Sequence, residues 1–353
     1  MKKNIKWIVG SLVALASVAF IAAVFFASTN SNANPFSEMV KQITGQKAEE
    51  KKEEEPKEDV VRPTNKSQSD KQRVMEEDVA TMNSYGLYYD YANLSLEDVV
   101  KAYMDEYGID YSQVAFSYKN TKSNETFAFN DTQAMTAGST YKLPLNMLVV
   151  DEVDKGNLSL EEEFDITNTQ YEYQGEHDNY VAAFGGAMTI PDMQVYSLVY
   201  SENTPAYALA DRLGGMDKVY TMYDRYGTSK GEIKTISTEN KTTTDYFIQV
   251  LDYLWKNQKK YAEILRLTGE SFPGEYYKGL LPGLKIDQKP GYVNEALNVN
   301  AVVYEETPYL VALYTAGLGG STVASTEVNP VGLYQVSQLA YVINEWHRVN
   351  MNP

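Results

Sequence analysis

From Trp7 to Ala27 the chain is apolar or small without a charged residue, and Lys2, Lys3 and Lys6 precede it. A run of roughly twenty such residues crosses a bilayer core as a helix. The lysines predict a cytoplasmic tail over 1–6, an anchor over 7–27 and everything later outside the cell. The rival reading is a cleavable signal peptide ending near Asn32 and Ala33; the apolar run is long for one, so the uncleaved single-pass anchor is favoured. From Ser28 the pattern changes to Lys, Glu, Ser, Asn and Pro, densest from Lys47 to Pro56. Such a mixture cannot bury enough apolar surface to fold, so 28–84 is expected to be a disordered charged linker that spaces a domain from the membrane.

Regular patterning begins near Tyr85 and predicts one domain over 85–353. Leu94 to Tyr107 has apolar positions at helical spacing, with Ser95 and Glu97 near its start. Gln113 to Tyr118 and Glu125 to Asn130 read as two short strands joined by the polar turn Asn120 to Asn124. An apolar helix opens at about Ser139 and runs to about Lys155, stopped by Gly156 and Asn157. Its Pro144, which has no N–H, is tolerated only near a helix start. Residues 164–187, carrying Tyr171, Tyr173, His177 and Tyr180, read equally as a rim loop over a site or an ordinary surface loop. Helices follow over Ile190 to Tyr200, Pro205 to Leu213 and Tyr246 to Lys256. Strands are expected over Gln288 to Gly291, Ala296 to Tyr304 and Tyr309 to Thr315, and a closing amphipathic helix over Val331 to Arg348.

At 353 residues and 43% hydrophobic, the chain can bury a substantial core. The absence of cysteine excludes thiol catalysis, disulfides and cysteine metal sites. Only His177 and His347 are present, which argues against a zinc cluster and predicts structural or exposed roles for both. A net charge of -17 argues against nucleic acid as a partner.

Candidate chemistry centres on Ser139 and Lys142, which a spacing of three puts on one helical face. A lysine beside an apolar run loses solvation, and its pKa falls toward that of a useful general base. Such a pair also arises by chance in a chain of this length, so the later motifs decide its meaning. They are Ser201, Glu202 and Asn203, then Lys289, Pro290 and Gly291. In this order the three motifs resemble the Ser-x-x-Lys, Ser-x-Asn and Lys-Thr-Gly signatures of the class A β-lactamase and penicillin-binding protein superfamily. The stretches 153–166, 188–206 and 298–315 are similar to the family's segments around those motifs.

The resemblance implies an α+β fold: a five-stranded antiparallel sheet flanked by helices, with a helical subdomain across the groove. By position it makes Ser139 the acylated nucleophile, Lys142 its base, Ser201 a proton relay, Asn203 the holder of a substrate amide and Lys289 the positive charge for a substrate carboxylate. Gly291 completes the third motif, and the N–H groups of Ser139 and Tyr292 would form the oxyanion hole. The implied protein is a membrane-anchored extracellular serine hydrolase, monomeric in its catalytic domain and without metal or cofactor. Its partners would be β-lactams or peptidoglycan-derived D-alanyl substrates.

Two departures qualify this. Pro290 replaces the family's Thr or Ser and removes a hydroxyl from carboxylate recognition. Between Gly227 and Asn240 there is no Glu-x-x-x-Asn element for the deacylating water; Glu232 and Glu239 are the acidic candidates, with solvated loop acids as the alternative. A wall-peptide or penicillin-binding sensor that does not turn over is therefore the second expectation.

Overall fold

The computed structural model describes residues 66–353. Helices α1 (Gln68–Glu77), α2 (Val79–Tyr85) and α3 (Leu96–Tyr107) come first, and the Ser67 and Ser95 hydroxyls accept the N–H of Asp70 and Asp98 as caps for α1 and α3. Strands β1 (Val114–Asn120), β2 (Thr126–Phe129) and β3 (Met135–Thr136) lead to a 3-10 turn, Gly138–Tyr141, and helix α4 (Lys142–Asp154). A mainly helical stretch follows: β4 (Glu163–Asp165), α5 (Gln174–Ala183), β5 (Ala187–Thr189), α6 (Ile190–Leu198), α7 (Asn203–Arg212) and α8 (Met216–Tyr220). The chain returns through β6 (Lys241–Thr242), α9 (Thr244–Lys256), α10 (Ala262–Glu270), β7 (Ile286–Val293), β8 (Ala296–Val303), β9 (Tyr309–Thr315) and α11 (Pro330–Asn350).

Five strands form one antiparallel sheet in the order β2-β1-β9-β8-β7, so the expected α+β architecture is present. The period of two in its strands separates the core into two layers. Val299, Ala301, Val311 and Leu313 face α1 to α3 and α11, while Val302, Leu310, Ala312 and Tyr314 face α4, α6, α7, α9 and α10. Each large side chain buried this way contributes roughly 1.5–3 kcal/mol, so both faces of the sheet are strongly committed. Strand β7 is left as an edge, with Lys289 and Pro290 paired on one side only, opposite Asn300 and Val299. A proline is tolerated there because no second neighbour needs its missing N–H.

The linker expected through residue 84 is corrected over its last part. Met75 and Met82 are buried, Arg348 Nη2 donates to Val74 O at 2.7 Å, and the Tyr341 hydroxyl donates to Asp78 Oδ2 at 2.8 Å. Helices α1 and α2 thus dock on α11, and the ordered domain starts near residue 66 rather than 85. Segment 164–187, read as a loop, contains α5. The expected anchor at 7–27 and the linker to residue 65 lie outside the described residues. Among the described residues no helix is long and apolar enough to cross a membrane.

Candidate active site

The turn carrying Ser139 is clamped between β3 and the edge strand. Asn298 Nδ2 donates to Thr136 O at 2.7 Å and Ala137 O at 3.1 Å, which fixes the chain just before the turn. Gly138 has φ of +58°, and a Cβ on it would lie 3.1 Å from Gly291 C and Tyr292 N. A Cβ on Gly291 would lie 2.7 Å from Ala137 O and 2.8 Å from Thr140 N. Only glycine at both positions lets the two backbones touch, and the contact brings the backbone of Gly291 and Tyr292 against the Ser139 turn.

Lys142 opens α4 immediately after that turn and is fully buried. Its Nζ donates to Ser201 O at 2.5 Å and Asn203 Oδ1 at 2.6 Å. Burial lowers its pKa to about 8, against the opposing pull of Glu176, Glu202 and Glu172. A neutral amine has two N–H donors, and both acceptors are in place, so its lone pair remains for a proton. Ser139 is half-buried, and its Oγ makes no hydrogen bond among the described residues. The sequence spacing predicts an amine that reaches this hydroxyl; here the amine is held by the second motif instead.

Ser201 has φ of +62°, a conformation uncommon for a residue with a Cβ. It turns its carbonyl to Lys142 and its hydroxyl to Lys289, whose Nζ donates to Ser201 Oγ and to Pro290 O, each at 2.8 Å. Lys289 is fully buried, and burial followed by the charge of Lys142 holds its pKa well below the ordinary lysine value. The structure therefore brings Lys142, Ser201, Asn203 and Lys289 into one network beside Ser139, Gly291 and Tyr292.

Two carboxylates that the sequence reading missed belong to it. Glu176 Oε1 accepts the N–H groups of Asn203 at 2.9 Å and Thr204 at 2.6 Å, and so caps α7. Glu202 occupies the N-cap position of α7 yet makes no capping bond. It is half-buried, and its pKa rises to about 7 through burial and then Glu176, with Lys142 opposing. Glu172 Oε2 accepts Asn203 Nδ2 at 3.0 Å, and its Oε1 accepts the Tyr207 hydroxyl at 2.6 Å. Both ends of the Asn203 amide are thereby engaged. The signal available in the sequence was two glutamates four apart, one helical turn, shortly before the second motif.

Glu232 and Glu239 are exposed, and neither forms a hydrogen bond or ion pair with a site residue. His347 is buried on α11 between the Tyr118 hydroxyl at 2.6 Å and Asn352 Oδ1 at 2.9 Å, and burial lowers its pKa to about 3. His177 is buried and stacks on Tyr171 at 4.7 Å. Among the described residues no cluster of three or more His, Asp or Glu could hold a metal ion.

A family model described as "Beta-lactamase enzyme family" matches residues 95–341. Beta-lactamase VEB-1 from Pseudomonas aeruginosa is 28% identical over 136 residues, which span 37% of this chain and 42% of that enzyme's length. Among solved structures, the class A β-lactamase of the last common ancestor of Gram-negative bacteria aligns with a TM-score of 0.58 at 19% identity, covering 71% of this chain and 98% of its own. The structure of PBP-A aligns with a TM-score of 0.57 at 14% identity, covering 70% of this chain and 94% of its own.

Proposed function

The chain belongs to the beta-lactamase enzyme family, and on that premise we propose that it is a serine acyl-transfer enzyme working through an acyl group on Ser139. The observation that carries this reading is the buried Lys142–Ser201–Lys289 network beside the Ser139 turn. Lys142 Nζ takes the proton from Ser139 Oγ as a new Oγ–C bond forms at the substrate carbonyl. The developing oxyanion is met by the N–H groups of Ser139 and Tyr292, and Ser201 Oγ–H gives its proton to the leaving nitrogen or oxygen as that bond breaks. Water then takes the acyl group off Ser139. This chemistry needs no metal or organic cofactor.

The substrates in this reading are β-lactams or D-alanyl-type acyl donors of the cell envelope, met outside the cell by a domain tethered through residues 7–27. The domain is proposed to work as a monomer. A second reading, acylation without efficient release, is favoured by the exposure of Glu232 and Glu239 and by Pro290 in the third motif.

Intact mass spectrometry of the full chain with a chromogenic cephalosporin separates the two. A transient adduct with colour release supports a hydrolase, and a lasting adduct supports a binding or sensor role. Ser139→Ala is expected to abolish the adduct with the fold retained, and labelling that survives this change refutes the nucleophile assignment.

A further inference from the structure

Beneath the third motif the sheet buries a line of polar groups that the acyl-transfer steps leave unused. Thr140 Oγ1 in the serine turn donates to Ala137 O at 2.8 Å. The Tyr314 hydroxyl on β9 is within hydrogen-bonding reach of Thr140, and Asn300 Nδ2 on β8 donates to that hydroxyl at 3.1 Å. A hydroxyl has one proton, and Thr140 gives its own to Ala137 O, so Tyr314 donates to Thr140 and accepts from Asn300. The line therefore has a direction. It starts at a turn carbonyl and ends at Asn300 Oδ1, which is buried without a hydrogen-bond partner among the described residues.

An orphaned acceptor is costly in an interior and points to a donor that engages it in another protonation state. The planar amide commits Nδ2 to the β9 side and leaves Oδ1 on the β7 side. There the register sets Lys289 directly opposite Asn300, on the sheet face shared by Val302, Ala312 and Tyr314. An ammonium has three N–H groups, and Lys289 places two of them on Ser201 Oγ and Pro290 O. One buried donor and one buried acceptor remain on facing positions. Burial and then the charge of Lys142 disfavour an ammonium on Lys289, while Glu176, Glu202 and Glu172 act on Lys142. Once Lys142 is the free amine, the second of those causes is gone. Burial keeps the Tyr314 phenol, the other titratable group at Asn300, in its neutral form.

We propose that Asn300 is a positioning residue of the proton relay: its Oδ1 takes the third N–H of the Lys289 ammonium and keeps the positive charge there while Lys142 is the free base. On acylation Ser139 gives its proton to Lys142, Ser201 gives its proton to the leaving atom, and Lys289 replaces the Ser201 proton. The charge passes from Lys289 to Lys142 with no net change. This rests on the acyl-serine reading above and adds to it the residue that sets where the charge starts.

The test compares N-acetyl-D-alanyl p-nitrophenyl ester with the matching ethyl ester on the full chain at pH 9, above the value of about 8 to which Lys142 falls. The p-nitrophenolate leaves without a proton, whereas ethoxide needs the one from Ser201 and hence the charge on Lys289. Asn300→Leu is expected to lower acylation by the ethyl ester about tenfold, in kcat, and by the p-nitrophenyl ester less than about twofold. Asn300→Asp keeps an acceptor oxygen and should hold the ethyl ester rate within about threefold of the unaltered chain. Tyr314→Phe breaks the line at its other end and should leave the ratio of the two esters unchanged. A ratio that Asn300→Leu does not change, or that Tyr314→Phe changes as much, overturns the assignment.

If neither ester acylates Ser139 in the unaltered chain, the acyl-serine reading fails for esters, and the charge on Lys289 is read directly. In an NMR titration of the lysine Nζ signals, assigned with Lys289→Arg, Lys289 should titrate about one pH unit lower in the Asn300→Leu chain than in the unaltered one. A shift of that size supports the proposal, and a titration that Asn300→Leu leaves unmoved overturns it.

Discussion

Gly291→Ala probes whether the contact between the serine turn and the edge strand matters more to chemistry than to folding. The added Cβ would sit 2.6 Å from Thr140 Cγ2, 2.7 Å from Ala137 O and 2.8 Å from Thr140 N, where ordinary contact begins at 3.4 Å. Two of the three neighbours are backbone atoms, so the strand and the turn must part by roughly 0.5–1 Å rather than a side chain swinging away. Overpacking of this kind costs about 1–3 kcal/mol in a well-packed interior, and β7, paired on one side only, can relieve part of it by moving outward. The same movement separates the Tyr292 N–H from the turn. Misplacing one oxyanion donor lowers the rate by about 10²–10³, whereas the stability loss stays near the low end of its range. The assay is the rate of Ser139 acylation by mass spectrometry, paired with urea unfolding. Gly283→Ala is the control, since a Cβ there meets nothing within 4 Å. Acylation within twofold of the unaltered chain would refute the claim that this backbone contact sets the oxyanion geometry.

Acylation should follow the free amine of Lys142. With its pKa lowered to about 8, the rate is expected to climb with pH, reach half its maximum near pH 8 and level off above it, and a flat profile from pH 6 to 9 would remove Lys142 as the base. Glu202 acts on stability with the opposite form favoured. Its folded pKa is raised from 4.5 to about 7, so its protonated state stabilises the fold fully below about pH 4.5, and that contribution is lost as pH rises through about 7. Glu202→Gln should therefore gain roughly 1–2 kcal/mol relative to the unaltered chain between pH 4.5 and pH 8, measured by urea unfolding, and an equal difference at both pH values would refute it.

Much of this architecture is legible from local pattern because caps and periodicity coincide with burial. Ser95 caps α3, Tyr309 to Thr315 is a strand as its short apolar run between turns predicts, and Lys142 is buried where the apolar run implies. What stays hidden depends on partners distant in sequence. Helices α1 and α2 bury mainly Met75 and Met82, too thin a stripe to stand out from charged neighbours, and their docking surface on α11 is more than 250 residues later. Glu172 and Glu176 lie in a polar segment without a strong apolar period, and their roles come from the α7 terminus that folds against them. A pattern read from one segment cannot supply a cap drawn from another.

Ser201 shows why the site keeps a strained residue. A glycine would adopt φ of +62° without steric cost, but it would supply no hydroxyl between the two lysines. With the serine, one residue faces both cations: its carbonyl accepts from Lys142 while its Oγ accepts from Lys289. Two buried ammonium groups so close resist holding full charge together, which is the physical reason Lys142 depresses the charged form of Lys289 beyond burial alone. Because Lys289 donates to Ser201 Oγ, the hydroxyl's own proton is free to leave with the departing group, and Lys289 can replace it. On the acyl-serine reading, the proton that Lys142 accepts at one end is matched by the one Ser201 releases at the other. A backbone strain of about 1–2 kcal/mol is small beside the rate such a relay supplies.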